Sequence, residues 1–265
     1  MYSPFQLIKK YLRYRITASN GKGHGVHSPF VYAFIEKVLN DKKEYPFYKV
    51  AEKRRRDLLQ DHRVIGVEDF GAGSTVINSK QRKISAIAAS SLKPRKFAQL
   101  LYRIVQRYQP GTIIELGTSF GISTSYMAAA NPDAKVYTCE GAESIAAVAA
   151  VTFQELGLPQ IEMITGDFTV TLPRLLSRLP QTDLVFVDGN HRKAPTLDYF
   201  RQLLPHLSPQ GMIIFDDIHW SAEMEEAWSE IKQHPAVTLT IDLFFIGIVF
   251  INPDFKVPQH FVINY

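Results

Sequence analysis

The chain has 265 residues, 46% hydrophobic and 21% charged, a globular balance with enough length for one full α/β domain and an extension. Its single cysteine, Cys139, excludes an internal disulfide framework; with no signal-like segment and no apolar run longer than the strand-sized Phe244–Ile251, the expected setting is a reducing cytoplasm without a membrane partner. The net charge of +4 conceals an asymmetry, 20 Lys and Arg against 8 Asp and Glu over Met1–Lys96 and 10 against 18 beyond.

A basic front on an acidic body suits nucleic acid, a membrane surface or an anionic substrate; it equally suits a solvated helical surface docked on the acidic part, the reading adopted here. Phe5, Ile8, Leu12 and Ile16 recur at helical spacing, with Lys9, Lys10, Arg13 and Arg15 on the other faces. After a loop at Gly21–Gly25, Ser28-Pro29 opens a second helix striped by Val31, Phe34, Ile35 and Val38. His24 and His27 stand three apart without further ligands nearby, so they read as loop or capping residues. The cluster Lys53–Arg56, beside Leu58 and Leu59, reads as an exposed helix face. Val67–Ser74, VEDFGAGS, imitates a cofactor turn through Asp69, Gly71 and Gly73. No second strand ending in a ribose-binding acid follows it, which leaves it a loop near the mouth of a site.

From Pro94 the pattern becomes regular. Phe97, Leu100, Leu101, Ile104 and Val105 predict an amphipathic helix ending near Gln109-Pro110. Thr112–Leu116 predicts a buried parallel strand, Gly117 starts a loop through Thr118, Ser119 and Phe120 to Gly121, and Ser123 and Thr124 are placed to cap a helix through Ala128–Ala130. A strand, a glycine turn and a helix N-terminus present backbone N–H groups and a positive dipole end to an anionic or polar ligand. Strands follow at Ala134–Thr138, ending at Cys139-Glu140, at Ile161–Thr165, at Asp183–Asp188 and at Met212–Phe215, with a helix at Ile145–Gly157. Val237–Ile251 reads as two strands so closely joined that only an antiparallel pair fits. The expected fold is α/β, a Rossmann-like doubly wound sheet, mostly parallel with a C-terminal antiparallel strand. A basic, mainly helical extension over residues 1–92 precedes the Rossmann-like domain of 93–265.

The turn E-L-G-x-x-x-G-x-S, Glu115 to Ser123, departs from the G-x-G-x-x-G of dinucleotide folds. It resembles the first motif of class I S-adenosylmethionine-dependent methyltransferases, in particular the catechol and caffeoyl-CoA O-methyltransferase branch, over about Pro94–Phe250. Open parallel sheets bind ligands at the carboxyl ends of their strands, so Glu115, Glu140, Asp167, Asp188, Asp216 and Asp217 are expected along one edge. The resemblance implies S-adenosyl-L-methionine as cofactor, held by Glu115, Gly117, Thr118, Ser119, Gly121, Ser123, Glu140, Asp167, Phe168 and Asp188. Glu140 would take the ribose hydroxyls, Asp167 the adenine amino group, and Phe168 would pack near the ring.

The same resemblance implies a divalent cation on Asp188, Asp216 and Asp217, with Asp188 and His191 as catalytic residues. The family's asparagine and lysine are here Asp217 and His191. Three carboxylates suit Mg²⁺, Mn²⁺ or Ca²⁺, and an imidazole serves as base or ligand at neutral pH. The alternative role for Asp216 and Asp217 is to approach the helix opening near Ser221. His219-Trp220 would form either an aromatic wall for a planar substrate or a packed indole. The implied activity is O-methylation of a small-molecule acceptor. An RNA methyltransferase using the basic extension, and a cofactor-binding protein without transfer activity, are the alternatives.

Overall fold

The computed structural model describes residues 1–19, 21–67 and 80–265, so the Asp69–Ser74 turn lies outside the described residues. Helices α1 (Pro4–Thr17), α2 (Pro29–Phe34) and α3 (Pro46–Leu59) precede a hairpin of β1 (Val64–Val67) and β2 (Lys80–Lys83), then α4 (Ile84–Ser91) and α5 (Arg95–Tyr108). Strands β3 (Thr112–Leu116), β4 (Lys135–Glu140), β5 (Ile161–Thr165), β6 (Thr182–Val187) and β7 (Leu207–Asp216) alternate with α6 (Ile122–Ala130), α7 (Glu143–Glu155), α8 (Phe168–Arg178) and α9 (Lys193–Leu203). After them come α10 (Ala222–Gln233), β8 (Leu239–Asp242), β9 (Ile246–Phe250) and β10 (Gln259–Val262). The eight strands from β3 onward give the expected Rossmann-like fold, a mostly parallel mixed sheet with flanking helices.

The chain divides into two compact units, residues 42–178 and residues 1–41 with 179–265. The basic segment 1–92 is thus shared between both. In the unit of residues 42–178, β3, β4 and β5 run parallel, with Glu115 opposite Thr138, Leu116 opposite Cys139 and Glu140 opposite Thr165. Ile113, Ile114 and Val136 have no exposed surface, as befits strands covered on both faces. Helix α5 buries Leu100, Leu101, Ile104 and Val105 and stops where Gln109 turns left-handed (φ 49°) before Pro110.

The Lys53–Arg56 run does not form the exposed face expected of it. Arg54 bonds Thr152 Oγ1 at 3.1 Å and pairs with Glu155 at 2.8 Å; Arg55 pairs with Glu52 at 3.0 Å, which also accepts the Tyr126 hydroxyl at 2.8 Å. Partners on α7 draw the Arg54 guanidinium inward, and Glu52, one turn earlier on α3, holds that of Arg55. Lys53 and Arg56 stay exposed.

In the other unit the strand order is β10-β8-β9-β7-β6. β6 and β7 are parallel with Val187 opposite Phe215, and β9 runs antiparallel to both β7 and β8, as the short connection requires. β10, parallel to β8, is an additional strand not expected from its sequence. Helix α1 is turned opposite to its apolar stripe. It packs through Tyr11 and Tyr14, whose rings lie 5.1 and 5.3 Å from that of Phe244, while Phe5, Ile8, Leu12 and Ile16 face solvent. Lys10 pairs with Glu225 on α10 at 2.9 Å, a direct docking of the basic helix on the acidic body.

Candidate active site

The glycine turn lies between β3 and α6. Gly117 (φ 102°) and Gly121 (φ 78°) take backbone conformations that side chains disfavour, and Ser119 between them is also left-handed (φ 48°). The N–H groups of Gly117 and Thr118 both donate to the Cys139 carbonyl, at 3.0 and 3.2 Å, which wraps the turn over the end of β4. A Cβ on Gly121 would collide with the Phe153 ring, so the turn can run this close to α7 only with glycine. Helix α6 starts at Ile122 with Gly121 as its N-cap. The expected cap by Ser123 or Thr124 is therefore not formed, because both hydroxyls have another acceptor.

That acceptor is Glu115. Its side chain is fully buried and accepts from Ser123 Oγ at 2.6 Å, Thr138 Oγ1 at 2.6 Å and Thr124 Oγ1. Burial pushes its pKa up to about 7 against the opposing pull of these three hydroxyls. Glu115 presents no surface to a ligand; it ties the start of α6 to β3 and β4. Thr138 extends the network to Thr118 Oγ1 at 2.6 Å. Thr118, Thr124 and Thr138 thus form an internal hydroxyl lattice of which only Thr118 was expected at a site. The signal for Thr138 was its register, directly across from Glu115 in a parallel pair.

Glu140, at the end of β4, is the acid that faces outward from this turn. Its Oε2 accepts from Ser119 N at 2.9 Å and its Oε1 from Ala142 N at 3.1 Å. Burial raises its pKa, opposed by the backbone N–H groups of Ala142, Ser119 and Gly141. The carboxylate is thus held rigidly by main-chain donors, with lone pairs left over for a diol. Ser119 Oγ shares a hydrogen bond of 2.8 Å with Ser91 of α4. Asp167 precedes α8, and its Oδ1 accepts from Thr169 N at 2.8 Å and Thr169 Oγ1 at 2.9 Å, a helix-opening cap on an exposed residue. Phe168 next to it is half-buried.

In the unit of residues 1–41 and 179–265, parallel pairing of Val187 with Phe215 sets the ends of β6 and β7 side by side. Asp188, His191 and Asp216 converge there, each offering one ligand atom within 4.8 Å of the others. His191 Nε2 lies 3.6 Å from Asp188 Oδ1, and Asp216 is buried at 3% exposure while its two partners are partly exposed. The third group is His191 rather than the expected Asp217. Asp217 is left-handed (φ 54°), with its N–H on the Phe245 carbonyl at 2.6 Å, and opens the tight turn to Trp220. Asn190, between Asp188 and His191, is likewise left-handed (φ 58°). Two side chains bunched by such local backbone are common at functional loops.

His219 is engaged by internal partners on both ring nitrogens. Its Nδ1 meets Glu225 and its Nε2 meets Asp242, each at 2.9 Å, and its ring stacks 5.1 Å from Phe244. Asp242 also accepts Trp228 Nε1 at 3.1 Å and Phe244 N at 2.9 Å. Ser221 caps α10 through Met224 N at 3.2 Å, as its position predicts.

A glycine turn closing on a main-chain-held acid, in a parallel sheet finished by an antiparallel strand, defines a nucleoside-binding α/β enzyme of the methyltransferase kind. Comparison with known proteins agrees. A model of the methyltransferase domain matches residues 114–218. A catechol O-methyltransferase of Niastella koreensis is 32% identical over 158 residues, which cover 58% of this chain and 69% of that protein. A transmembrane O-methyltransferase homolog of Rattus norvegicus is 33% identical over 125 residues, covering 45% of this chain and 48% of its own length. The O-methyltransferase of Bacillus cereus, solved with S-adenosylhomocysteine, shares the fold at a TM-score of 0.56 and 19% identity, over 83% of this chain and 97% of that one. The chain belongs to the S-adenosylmethionine-dependent O-methyltransferases.

Proposed function

We propose that this O-methyltransferase acts on a small aromatic molecule with neighbouring hydroxyls, held on a divalent cation bound by Asp188, His191 and Asp216. The observation that carries the reading is the convergence of those three side chains at the paired ends of two parallel strands. A catechol-type acceptor is suggested by the name of the Niastella relative. Two carboxylates and an imidazole form a mixed oxygen and nitrogen set, which suits Mn²⁺, Fe²⁺ or Zn²⁺ beside Mg²⁺ and disfavours the all-oxygen preference of Ca²⁺. Three protein ligands leave positions open for both hydroxyls of a diol. A bound cation of this kind lowers the pKa of a coordinated hydroxyl.

On the cofactor side, Glu140 would accept from both ribose hydroxyls, with Ser119 N and Ala142 N fixing its orientation. The N-terminal turn of α6, whose first N–H groups have no intrahelical acceptor, would hold the methionine carboxylate. Asp167 and Phe168 would serve the adenine. The donor methyl is already activated, so orientation does most of the remaining work.

The 3.6 Å approach of His191 to Asp188 supports a second, metal-free reading, in which the carboxylate orients the imidazole to take the acceptor's proton. Transfer of labelled methyl to catechol, followed with Mn²⁺ or with EDTA, separates the two. Activity that needs Mn²⁺ and is lost in Asp216→Asn supports the cation. Full activity in EDTA that disappears in His191→Asn supports the base, and no transfer to catechol under either condition overturns the acceptor class.

A further inference from the structure

The face of α1 that ought to be buried is the one left outside. Phe5, Ile8, Leu12 and Ile16 are 77%, 59%, 57% and 83% exposed and fall along a single stripe of three helical turns. Large apolar side chains scattered singly on a surface need no explanation, but four in register on one helix do. The outward orientation is fixed by bonds on the opposite face. Lys10 binds both oxygens of Glu225 at 2.9 and 3.0 Å, the Tyr2 hydroxyl joins the same carboxylate at 2.8 Å, and Tyr2 N donates to the Trp220 carbonyl at 3.0 Å. Tyr14 is buried, donates to the Ile263 carbonyl and accepts from Tyr265 N at 3.1 Å. Ser3 and Gln6 close a reciprocal capping box at the N-terminal end. The helix is therefore preformed, and its stripe is displayed at no further ordering cost.

Charge identifies the partner. Exposed Lys9 and Arg13 flank the stripe on one side and Arg15 on the other, and no Asp or Glu occurs before Glu36. A second copy of the same helix would set these cations against each other. A protein groove would have to be shaped to a convex row of side chains, whereas a fluid interface accommodates it without complementarity. An apolar centre with cationic margins matches the boundary between acyl chains and anionic headgroups, where Lys and Arg stems extend back to the phosphates. We propose that α1 seats this enzyme on the surface of anionic bilayers, lying in the interface plane. At 14 residues the helix is about 21 Å long, too short to cross, and among the described residues no helix is long and apolar enough to do so. The expectation of no membrane contact rested on the want of a spanning segment, which a surface helix does not require.

The test is co-sedimentation of the full chain with vesicles of phosphatidylcholine alone and of phosphatidylcholine mixed with phosphatidylglycerol. Binding is expected only to the anionic vesicles, weakened by salt, and reduced at least about tenfold in Phe5→Ser/Leu12→Ser and in Lys9→Glu/Arg13→Glu. These residues are exposed, so unchanged circular dichroism and melting of the variants are expected and keep the comparison valid. Absence of sedimentation, or equal binding by wild type and both variants, overturns the proposal. So does a solution dimer, measured by light scattering, that Phe5→Ser/Leu12→Ser dissociates, because the stripe would then belong to a second copy. None of these readouts depends on the acceptor or the cation.

Discussion

Replacing Glu115 by Gln tests the central brace of the glycine turn through its protonation. The side chain is fully buried and its pKa is raised from 4.5 to about 7, by burial first and against three hydroxyl donors. A carboxyl group whose folded pKa lies above its unfolded value binds its proton more tightly in the folded state. Its contribution is therefore complete below about 4.5 and is lost as pH rises toward 7. The shift corresponds to about 3 kcal/mol between those limits. Gln cannot ionise and has nearly the same shape, and Ser123, Thr124 and Thr138 can rotate their hydroxyls to accept from its amide. Urea unfolding of wild type and Glu115→Gln in parallel at pH 5 and pH 8 isolates this term, since other titrating groups cancel in the difference. The variant should gain about 2–3 kcal/mol on wild type between the two pH values. A difference that stays constant, or moves toward wild type at pH 8, would refute the argument that burial outweighs the hydroxyls at this site.

Glu140→Ala should weaken S-adenosylhomocysteine binding by about 2–3 kcal/mol, or roughly 30- to 150-fold in calorimetric Kd, because hydrogen bonds to a charged acceptor are lost; an unchanged Kd would remove Glu140 from the ribose. Gly121→Ala combines a left-handed backbone with a clash against Phe153, and should lower stability by about 2–4 kcal/mol with a matching fall in Tm. Wild-type melting in that variant would mean the turn can relax. Burial depresses the pKa of His219, but Asp242 and Glu225 outweigh it and hold the net value above the ordinary 6.5. Its contribution to stability is complete below 6.5 and fades as pH rises through the raised value. The His219 ring protons followed by NMR should titrate above 6.5, and a midpoint at or below that value would count against the double carboxylate clamp.

Periodicity carried most of the sheet. Ile161–Thr165 has the bounds expected of it, and α5 lies where its apolar spacing put it, since buried β-branched runs and a strong amphipathic stripe leave few competing structures. β10 escaped because Gln259–Val262 is short and half polar, and only its parallel neighbour β8 makes it a strand. The glycine turn was legible from Gly117 and Gly121, yet the role of Glu115 was not. An acid at the end of a strand before a glycine turn reads the same whether its carboxylate meets a ligand or three internal hydroxyls. At the cluster of Asp188, His191 and Asp216, the two carboxylates followed from strand ends, while the presence of His191 rather than Asp217 in it depended on local backbone, a left-handed Asp217 that the order of residues does not announce. The reversed face of α1 had the same origin. Apolar spacing says which side chains share a face, and the tyrosines at Tyr11 and Tyr14 decided which face meets Phe244.

Residues 1–41 form one unit with residues 179–265. On the ribosome, residues 1–41 emerge well before residues 179–265 and must wait for them to complete their unit, whereas residues 42–178 come out as an uninterrupted stretch. At typical elongation rates of about 5–20 residues per second the wait is on the order of ten seconds or more, with the α1 stripe already in solvent. Nascent chains of this enzyme should therefore hold a half-built intermediate in which Tyr11, Tyr14 and Phe30 lack their eventual partners Phe244, Ile263 and Phe250, a natural point for chaperone engagement and for loss to aggregation when synthesis stalls.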